Sequence, residues 1–254
     1  MSENLKKVLI AGGGTGGHLF PAIAIGQELE KDNIEVKYIG SKYGIESSYK
    51  FINKEKLHLL NLRGIQRSIS IRNIIRNLIL PIKLIKSLYQ VNSIIRTFKP
   101  DMIIGTGGYS CAIPLYVGGR KKILTAIQEQ NVIPGMVTKK FCNQVNFIFT
   151  SFRETNNYLK HGKILLTGNP IRSMIKKIDM KKAKRHFGLC PKEFTILVIG
   201  GSQGAQSINK HIINNYKKYT DNNIQIIWQI GENLKSFEID KADKRIKIFS
   251  FIDE

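Results

Sequence analysis

Residues 8–18 read Val-Leu-Ile-Ala-Gly-Gly-Gly-Thr-Gly-Gly-His, an apolar run that passes directly into a glycine-rich loop. The pattern recurs at residues 102–110, Met-Ile-Ile-Gly-Thr-Gly-Gly-Tyr-Ser, and at residues 196–205, Ile-Leu-Val-Ile-Gly-Gly-Ser-Gln-Gly-Ala. A strand, a tight glycine turn and a following helix direct free backbone N–H groups and a helix dipole to one point, which makes an anion site, most often for phosphate. The first and third loops lie about 190 residues apart, too far for one mononucleotide-binding unit. This spacing predicts an α/β protein with two domains that face each other across a phosphate-binding cleft.

Apolar strand-like runs alternate with helical patterns along the chain, which predicts parallel sheets with right-handed crossovers. Helical spacing covers residues 21–31, 71–98 and 205–216. The predicted strands are residues 7–11, 35–39, 57–60, 102–105, 122–127, 145–149, 164–166, 195–199, 224–230 and 246–251.

A turn signal at Gly168-Asn169-Pro170 marks a boundary between the two domains. We therefore expect a Rossmann-like N-terminal domain over residues 1–167 and a second Rossmann-like domain over residues 168–254. A doubly wound domain usually has five or six strands, whereas residues 168–254 offer only the last three of the predicted strands. The second domain is therefore expected to be incomplete.

The composition is that of a globular protein, with 42% apolar and 23% charged residues. Cys111, Cys142 and Cys190 make an odd number without CxxC spacing, which indicates reduced thiols rather than a disulfide framework or a zinc site. The apolar run near the N-terminus is too short for a signal peptide. The longest uncharged stretch, residues 102–119, contains Pro114 and several glycines, so it is a poor membrane span.

The first loop satisfies the dinucleotide fingerprint GxGxxG through Gly12, Gly14 and Gly17. A site for NAD also needs an acidic residue about 20 positions further on, but residues 37–41 read Lys-Tyr-Ile-Gly-Ser. The third loop lacks the Gly-Lys-Ser/Thr of a P-loop. The sequence therefore disfavours both an oxidoreductase and a phosphate-cleaving motor.

His18 lies where the helix after the first loop begins. A helix N-terminus disfavours the imidazolium, so one interpretation is a neutral imidazole that accepts a proton from a ligand. The other is that His18 caps the helix or forms a hydrogen bond with a loop carbonyl.

Five segments together resemble the signature motifs of the MurG family, bacterial GT-B glycosyltransferases that move GlcNAc from UDP-GlcNAc onto lipid I to make lipid II. They are residues 13–22 (GGTGGHLFPA), 107–110 (GGYS), 129–131 (EQN), 168–172 (GNPIR) and 200–205 (GGSQGA), and they follow the order of the family. The resemblance implies a GT-B fold, an inverting hexosyltransferase of peptidoglycan synthesis, and a part in cell shape and division. It implies no cofactor and no metal, and the sequence offers nothing that looks like a metal-binding Asp-x-Asp pair.

The resemblance also implies roles for individual residues. His18 matches the proposed general base, and Asn131 matches the residue that binds the GlcNAc hydroxyls. The first two glycine loops match those that receive the acceptor diphosphate. The third loop, with Arg172, matches the donor pyrophosphate site. Phe251 and Ile252 match the residues that cover uracil and bind it through the main chain. The implied substrate-binding residues are Thr15, Gly16, Gly17, Gly107, Gly108, Tyr109, Glu129, Asn131, Arg172, Ser202, Gln203, Gly204, Phe251 and Ile252.

The sequence departs from the family in two places. The family usually has histidine before Glu-Gln-Asn, whereas this chain has Gln128. Chains of the family also run well beyond residue 254, and the additional part carries a ribose-binding glutamate and a glutamine-rich stretch that recognises GlcNAc. We therefore expect impaired donor binding, as in a degraded, split or truncated gene product.

A strongly basic segment lies in the first half of the chain. The formal net charge is +21, and no acidic residue lies between Glu55 and Asp101. If residues 71–89 form a helix, Pro81 should kink or split it. One interpretation is a basic stripe with apolar flanks that rests on an anionic bilayer; the other is an ordinary crossover helix with solvated charges. The implied membrane residues are Arg72, Arg76, Lys83, Lys86, Ile75, Leu78, Ile79 and Ile82.

Three functions remain open at this point. The first is a peripheral glycosyltransferase on the cytoplasmic face of the bacterial inner membrane, with UDP-GlcNAc, lipid I, anionic phospholipid and other cell-wall synthesis proteins as partners. The second is a non-catalytic remnant that binds anionic membrane or a partner protein. The third, a nucleic-acid binder, is disfavoured because the basic segment lacks interleaved aromatic residues and no nucleic-acid module is present.

Overall fold

The fold of the chain is given by a computed structural model. The structure describes residues 5–47, 52–64, 70, 78–160, 162–173, 175, 177–201, 204–231 and 243–252. The chain divides into two compact units, Met1–Ile175 and Lys176–Glu254.

The first unit is built on a parallel sheet with the strand order β3-β2-β1-β4-β5-β6-β7 among the described residues. Its strands are β1 (Lys7–Ala11), β2 (Glu35–Ser41), β3 (Leu57–Leu60), β4 (Met102–Gly105), β5 (Leu124–Glu129), β6 (Phe147–Thr150) and β7 (Ile164–Leu166). Its helices are α1 (Gly16–Lys31), α2 (Leu80–Phe98), α3 (Ala112–Arg120) and α4 (Met136–Phe141). The order reverses between β1 and β4, and in open α/β sheets ligands bind where the strand order reverses.

The core of the first unit has two layers because successive side chains of a strand point to opposite faces. Leu9 of β1 packs with Val91 of α2 on one face, whereas Val8 and Ile10 pack with Ile23 of α1 on the other. All three β1 side chains are fully buried, as expected for a parallel sheet covered by helices on both faces. This burial holds the glycine loops after β1 and β4 on a rigid base.

The second unit has the parallel strand order β10-β9-β8 in its described part. Its elements are α5 (Met180–His186), β8 (Phe194–Ile199), α6 (Gln206–Thr220), β9 (Ile224–Gln229) and β10 (Ile246–Phe249). Trp228 is fully buried against Ile212 of α6, and its indole N–H donates to Asn209 Oδ1 at 2.9 Å. On the opposite face of this sheet, Leu197 and Ile199 are 57% and 54% exposed.

The structure differs from the sequence predictions in several elements. Helix α1 begins at Gly16 rather than at residue 21, and His18 lies in its first turn, as predicted for that residue. Pro81 lies in the first turn of α2, where proline needs no N–H partner, and the segment before it, on which the predicted kink or split also depends, is only partly described. Residues 71–77 lie outside the described residues. Helices α3, α4 and α5 have no counterpart in the sequence predictions.

The division into units falls after Ile175, eight residues beyond the expected boundary after residue 167. Residues 169–173 contact the first unit: the Ser151 hydroxyl donates to Asn169 Oδ1 at 2.7 Å, and the Ser173 hydroxyl donates to Gln27 Oε1 at 3.3 Å. None of the helices in the described part of the chain combines the length and the apolar character that a membrane crossing requires.

Candidate functional site

The glycine loops after β1 and β4 meet at the carboxyl edge of the first sheet. Gly13 and Gly14 have φ of 148° and 90°, and Gly107 and Gly108 have φ of 105° and 75°, values that favour glycine. A Cβ at Gly108 would collide with the carbonyl oxygen of Gly13. The two loops therefore touch through their backbones, which leaves no room for larger residues at this contact.

A buried carboxylate supports the first loop from behind. Glu46 is 0% exposed, and its carboxylate accepts hydrogen bonds from Gly14 N at 2.9 and 3.1 Å and from Ser41 N at 2.6 Å. A Cβ at Gly13 or Gly44 would collide with this carboxylate, and a Cβ at Gly40 would collide with the Glu46 Cγ. Glu46 thus replaces the water that these backbone groups would otherwise need, and it fixes the path of the loop.

His18 lies at the contact between the two loops, with its ring next to Gly107 and Gly108. Its Nδ1 lies 3.1 Å from the carbonyl oxygen of Thr106 and 3.2 Å from Gln130 Oε1. A carbonyl oxygen only accepts, so Nδ1 carries the proton and Nε2 carries the lone pair. The half-buried ring is thereby held in the tautomer that accepts a proton at Nε2. This is the hydrogen bond to a loop carbonyl considered from the sequence, and it leaves Nε2 as the ring nitrogen that can accept a proton.

Gln130 fixes the other side of this arrangement. Its Nε2 donates to the Thr106 carbonyl at 2.7 Å and also to the side-chain oxygen of Gln128, which leaves Gln130 Oε1 turned towards His18. Gln128 is 2% exposed, and its own Nε2 donates to Ser151 Oγ at 3.2 Å. The glutamine at this position, where the resemblance leads one to expect histidine, is therefore a buried link in the network that orients His18.

Tyr109 connects the second loop to β2. Its hydroxyl donates to Ser41 Oγ at 3.1 Å, while the Ser41 hydroxyl donates to the Leu62 carbonyl at 2.7 Å. A Cβ at Gly64 would lie 3.1 Å from the Tyr109 ring. The phenol is engaged by the protein, so Tyr109 ties three segments of the site together.

Glu129 and Asn131 form one small cluster at the end of β5. The Glu129 carboxylate, 3% exposed, accepts from Asn131 N and Nδ2 at 3.1 and 3.0 Å. It also accepts from Gly135 N at 3.0 Å and from the Thr138 hydroxyl at 2.6 Å. Glu129 therefore holds the loop into α4 and positions Asn131, whose residue surface is exposed.

Arg172 lies over the first turns of α1. Its guanidinium carbon is 4.2 Å from the centre of the Phe20 ring, and the same ring packs on Gly16. Thr15 and Gly17 are exposed beside it. The structure thus brings together the site residues predicted on the first two loops, together with His18 and Arg172, within the first unit.

The third glycine loop belongs to the second unit. Gly201 and Gly204 have φ of 78° and 75°, and a Cβ at Gly204 would collide with the Ile230 carbonyl. Gln229 Nε2 donates to the Gly201 carbonyl at 3.0 Å, and Gln229 Oε1 accepts from Ile252 N at 3.0 Å. Gln229 therefore links the loop before α6 to the end of the chain.

The remaining predicted site residues of the second unit lie in the third glycine loop and directly after β10. Ser202 and Gln203 lie outside the described residues. Phe251 and Ile252 are half-buried, and the Ile252 amide, which the resemblance assigns to uracil, is already bonded to Gln229.

An exposed apolar stripe runs along α2 and the residues just before it. Leu78, Ile82, Ile85 and Tyr89 are 72%, 57%, 55% and 76% exposed, and their spacing of three or four residues puts them on one side. The opposite side is buried through residues such as Val91. Helix α2 is therefore apolar on two faces, which an ordinary crossover helix does not require.

Basic residues and a groove accompany this stripe. Lys83 and Lys86 lie on α2, and Ile79 is 43% exposed. Arg72, Arg76 and Ile75 lie outside the described residues. A groove of about 460 Å³ between α2, α3 and α4 is lined by Leu84, Leu88, Ala112, Ile113, Tyr116, Met136, Val137, Lys140, Phe141 and Gln144. Among the described residues, no group of histidine, cysteine, aspartate or glutamate side chains is arranged to hold a metal ion.

Comparison with known proteins identifies the family. Residues 8–150 match the model of the glycosyltransferase family 28 N-terminal domain, and residues 195–254 match that of the family 28 C-terminal domain. The chain belongs to glycosyltransferase family 28. The match to the N-terminal domain spans the first two glycine loops, His18 and Gln130, whereas Arg172 lies between the two matched regions.

Similar proteins of described function support this assignment. The chain is 37% identical over 236 residues to the UDP-N-acetylglucosamine--N-acetylmuramyl-(pentapeptide) pyrophosphoryl-undecaprenol N-acetylglucosamine transferase of Christiangramia forsetii, covering 91% of this chain and 63% of that protein. It is 36% identical to the enzyme of the same name from Flavobacterium psychrophilum, covering 97% and 68%. The crystal structure of Acinetobacter baumannii MurG superposes with a TM-score of 0.64 at 19% identity, covering 98% of this chain and 69% of that chain.

These matches confirm the predicted GT-B fold class and the resemblance to the MurG family. The chain spans about two thirds of the length of these family 28 relatives. The sequence reasoning missed Glu46, Thr106 and Gln130, which shape the family 28 site from within. A signal for Gln130 was present, because it follows Glu129 at the end of a strand, whereas nothing in the sequence marked Glu46.

Proposed function

We propose that this chain catalyses transfer of GlcNAc from UDP-GlcNAc to the 4-hydroxyl of MurNAc in lipid I, forming lipid II. The names of the family 28 relatives support this substrate pair. The observation that carries the proposal is His18, whose Nδ1 is committed to the Thr106 carbonyl, so that Nε2 is the basic nitrogen beside two glycine loops.

The reaction proceeds by inversion at the anomeric carbon of GlcNAc. The acceptor oxygen attacks this carbon as its proton passes to His18 Nε2, and the bond between the carbon and the UDP oxygen breaks. UDP leaves with both electrons of that bond. A histidine base suits this step because its ordinary pKa lies near neutrality.

Negative charge develops on UDP as it leaves, and fixed dipoles and a cation are expected to meet it. The third glycine loop leads into α6, a helix of 15 residues without an acidic residue in its first turn, which favours an anion there. Arg172, held over Phe20, is the proposed cation for the pyrophosphate. Asn131, held by Glu129, is the proposed partner of the GlcNAc hydroxyls.

We further infer that the first unit docks on the cytoplasmic face of the inner membrane. The apolar stripe of Leu78, Ile82, Ile85 and Tyr89 is solvent-exposed, and contiguous apolar surface of this kind marks a contact site. The flanking lysines of α2 suit anionic phospholipid. A protein whose acceptor is attached to a polyprenyl lipid needs such a surface to reach that acceptor at the membrane.

The transferase proposal is tested by incubating the purified chain with UDP-[¹⁴C]GlcNAc and a lipid I analogue. We expect label in the lipid-linked disaccharide, dependent on the acceptor. Absence of this product, from protein shown to be folded by circular dichroism, would contradict the proposal.

The membrane proposal is tested by sedimentation with anionic phosphatidylglycerol vesicles. Burying one exposed isoleucine contributes about 1.5–3 kcal/mol, so Ile82→Asn with Ile85→Asn should weaken binding at least tenfold. Leu165→Asn changes a side chain that is 49% exposed on β7 and is the matched control. Equal sedimentation of the double variant and wild type would refute docking through α2.

A further inference from the structure

A cluster of two cations and one aromatic ring lies beside the glycine loops. The guanidinium carbon of Arg63 is 3.7 Å from the centre of the Tyr43 ring, and Lys83 Nζ is 5.5 Å from the same centre. Tyr43 follows β2, Arg63 follows β3, and Lys83 belongs to the first turn of α2. Three separate elements therefore converge on one ring at the carboxyl edge of the sheet, where ligands of α/β proteins bind.

The ring that supports the cluster is fixed in place. The Tyr43 hydroxyl donates to Asn61 Oδ1 at 2.6 Å, and the Tyr43 amide donates to Ser41 Oγ at 3.0 Å. A guanidinium stacked on such a ring keeps its outer nitrogens free to bind in their plane. Tyr43 thus orients Arg63 before any ligand arrives.

The positive charge of the cluster is not neutralised within the described part of the chain. None of the ion pairs found there involves Arg63 or Lys83. Arg63 Nε is buried and has no hydrogen-bond partner among the described residues. Two cations that meet on one ring without a counter-charge among the described residues indicate a ligand that carries negative charge.

The surroundings of the cluster suggest which anion it binds. On one side, Gly64 packs against the Tyr109 ring of the second glycine loop, within the site that contains His18. On the other side, Ile82 precedes Lys83 in the exposed apolar stripe. The order along this surface is glycine loops, cations and apolar stripe, which matches the order sugar, diphosphate and hydrocarbon in a lipid-linked sugar diphosphate.

We propose that Arg63 and Lys83, supported by Tyr43, bind the diphosphate of the lipid-linked acceptor at its membrane-side phosphate. The identity of the acceptor rests on the proposed function. The planar guanidinium forms paired hydrogen bonds with phosphate oxygens, and the lysine adds a second charge. The glycine loops supply only backbone dipoles, so these two side chains provide the full charges that a diphosphate requires.

A phospholipid headgroup offers the same phosphate chemistry, so the test separates the two sources. Wild type, Arg63→Gln, Lys83→Met and the double variant are titrated with a water-soluble, short-chain lipid I analogue and, separately, with phosphatidylglycerol vesicles. Arg96→Gln is the matched control, since Arg96 is exposed in the last turn of the same helix, about 20 Å from Lys83 at 1.5 Å per residue. Thermal melting confirms that each variant is folded.

We expect each single variant to bind the analogue about tenfold more weakly, because a hydrogen bond to a charged group is lost. The control should bind the analogue as wild type does. Vesicle binding should change less than twofold for Arg63→Gln, which lies outside α2, whereas Lys83→Met also removes a lysine that flanks the apolar stripe. In the transfer assay, KM for the analogue should rise while kcat stays within a few-fold. Binding of the analogue by the double variant within twofold of wild type would overturn the assignment.

A second outcome would also overturn it. If the variants lose vesicle binding but keep their affinity for the analogue, the cluster is a headgroup site. Titration with UDP-GlcNAc separates a failure of this assignment from a failure of the proposed function. If wild type binds the analogue through Arg63 but neither binds nor uses UDP-GlcNAc, the diphosphate site stands and the proposed transferase activity is wrong.

Discussion

Glu46→Gln should destabilise the first unit strongly, although the two side chains have nearly the same shape. The Glu46 carboxylate accepts from Gly14 N with both oxygens and from Ser41 N with one. Glutamine keeps one acceptor, and its amide N–H₂ must then face a backbone N–H. The substitution therefore removes a charge-assisted hydrogen bond and leaves a buried donor unsatisfied.

The magnitude follows from these two losses. A hydrogen bond to a charged group contributes about 1.5–3 kcal/mol, and an unsatisfied buried donor costs about 1–3 kcal/mol. We expect a loss of about 3–5 kcal/mol in the free energy of unfolding. For a unit of this size, 1 kcal/mol corresponds to about 2–4 °C in Tm, so the melting transition should fall by roughly 6–20 °C.

Differential scanning calorimetry measures this shift. Glu55→Gln is the control, because Glu55 has the same charge and an exposed surface, and surface substitutions usually change stability by less than about 0.5 kcal/mol. Melting of Glu46→Gln within about 2 °C of the control would refute the view that this carboxylate holds the glycine loop.

Three further predictions concern the second glycine loop, the cysteines and His58. Gly107→Ala places a Cβ against the His18 imidazole at a backbone φ of 105°, so the rate of transfer should fall about 100-fold. Gly119→Ala in α3, whose Cβ would lie 4.0 Å from the Gln144 carbonyl oxygen, should retain activity. Equal transfer rates for the two variants would contradict the contact between Gly107 and His18. Burial raises the pKa of the Cys111 thiol to about 12, and the thiolate is the reactive form of cysteine. Ellman's reagent should therefore label the exposed Cys190 quickly and Cys111 only when the chain unfolds. Rapid labelling of the folded Cys190→Ser variant would contradict this prediction. Burial, with the nearby Lys37, lowers the pKa of His58 in the folded chain, whereas histidine in the unfolded chain has a pKa of about 6.5. The unfolded chain therefore binds more protons below that pH, so the stabilisation should be complete above it and decline below it. Urea unfolding at pH 7.5 and 5.5 should show a smaller decline in stability for His58→Asn than for wild type, and equal declines would exclude His58 as the cause.

The sheet of the first unit was predictable from the sequence because its strands are short apolar runs with glycine or polar residues after them. β1, β3, β4 and β7 have the predicted bounds. β1 is the clearest case, since Val8 to Ala11 are buried on both faces and such strands read as continuous apolar segments.

Helix boundaries were harder to predict. Glycine and proline are poor helix formers in general, so the sequence suggested that α1 begins at Pro21, yet the loop contacts extend the helix back to Gly16. Pro81 illustrates the same difficulty, because a proline within a helical pattern marks either a kink or a start. Tertiary packing decides between these alternatives, and the packing contacts cannot be read from a single sequence.

The candidate site was predictable only where its residues lie in a motif. The loop residues and His18 stand in glycine-rich segments next to strands, so their position was evident. Glu46 and Arg63 lie in segments without a motif, and their roles depend on burial and on partners distant in sequence. A buried carboxylate and a surface carboxylate look the same in a sequence.

The central claim is that His18 accepts the proton of the acceptor hydroxyl during transfer of GlcNAc. The most direct measurement is single-turnover transfer to the lipid I analogue by wild type and His18→Ala, with and without added imidazole. We expect the variant to be slower by about 10²–10⁴-fold, the usual contribution of a general base, and to recover part of the rate with imidazole. A rate for His18→Ala within a few-fold of wild type would contradict the account.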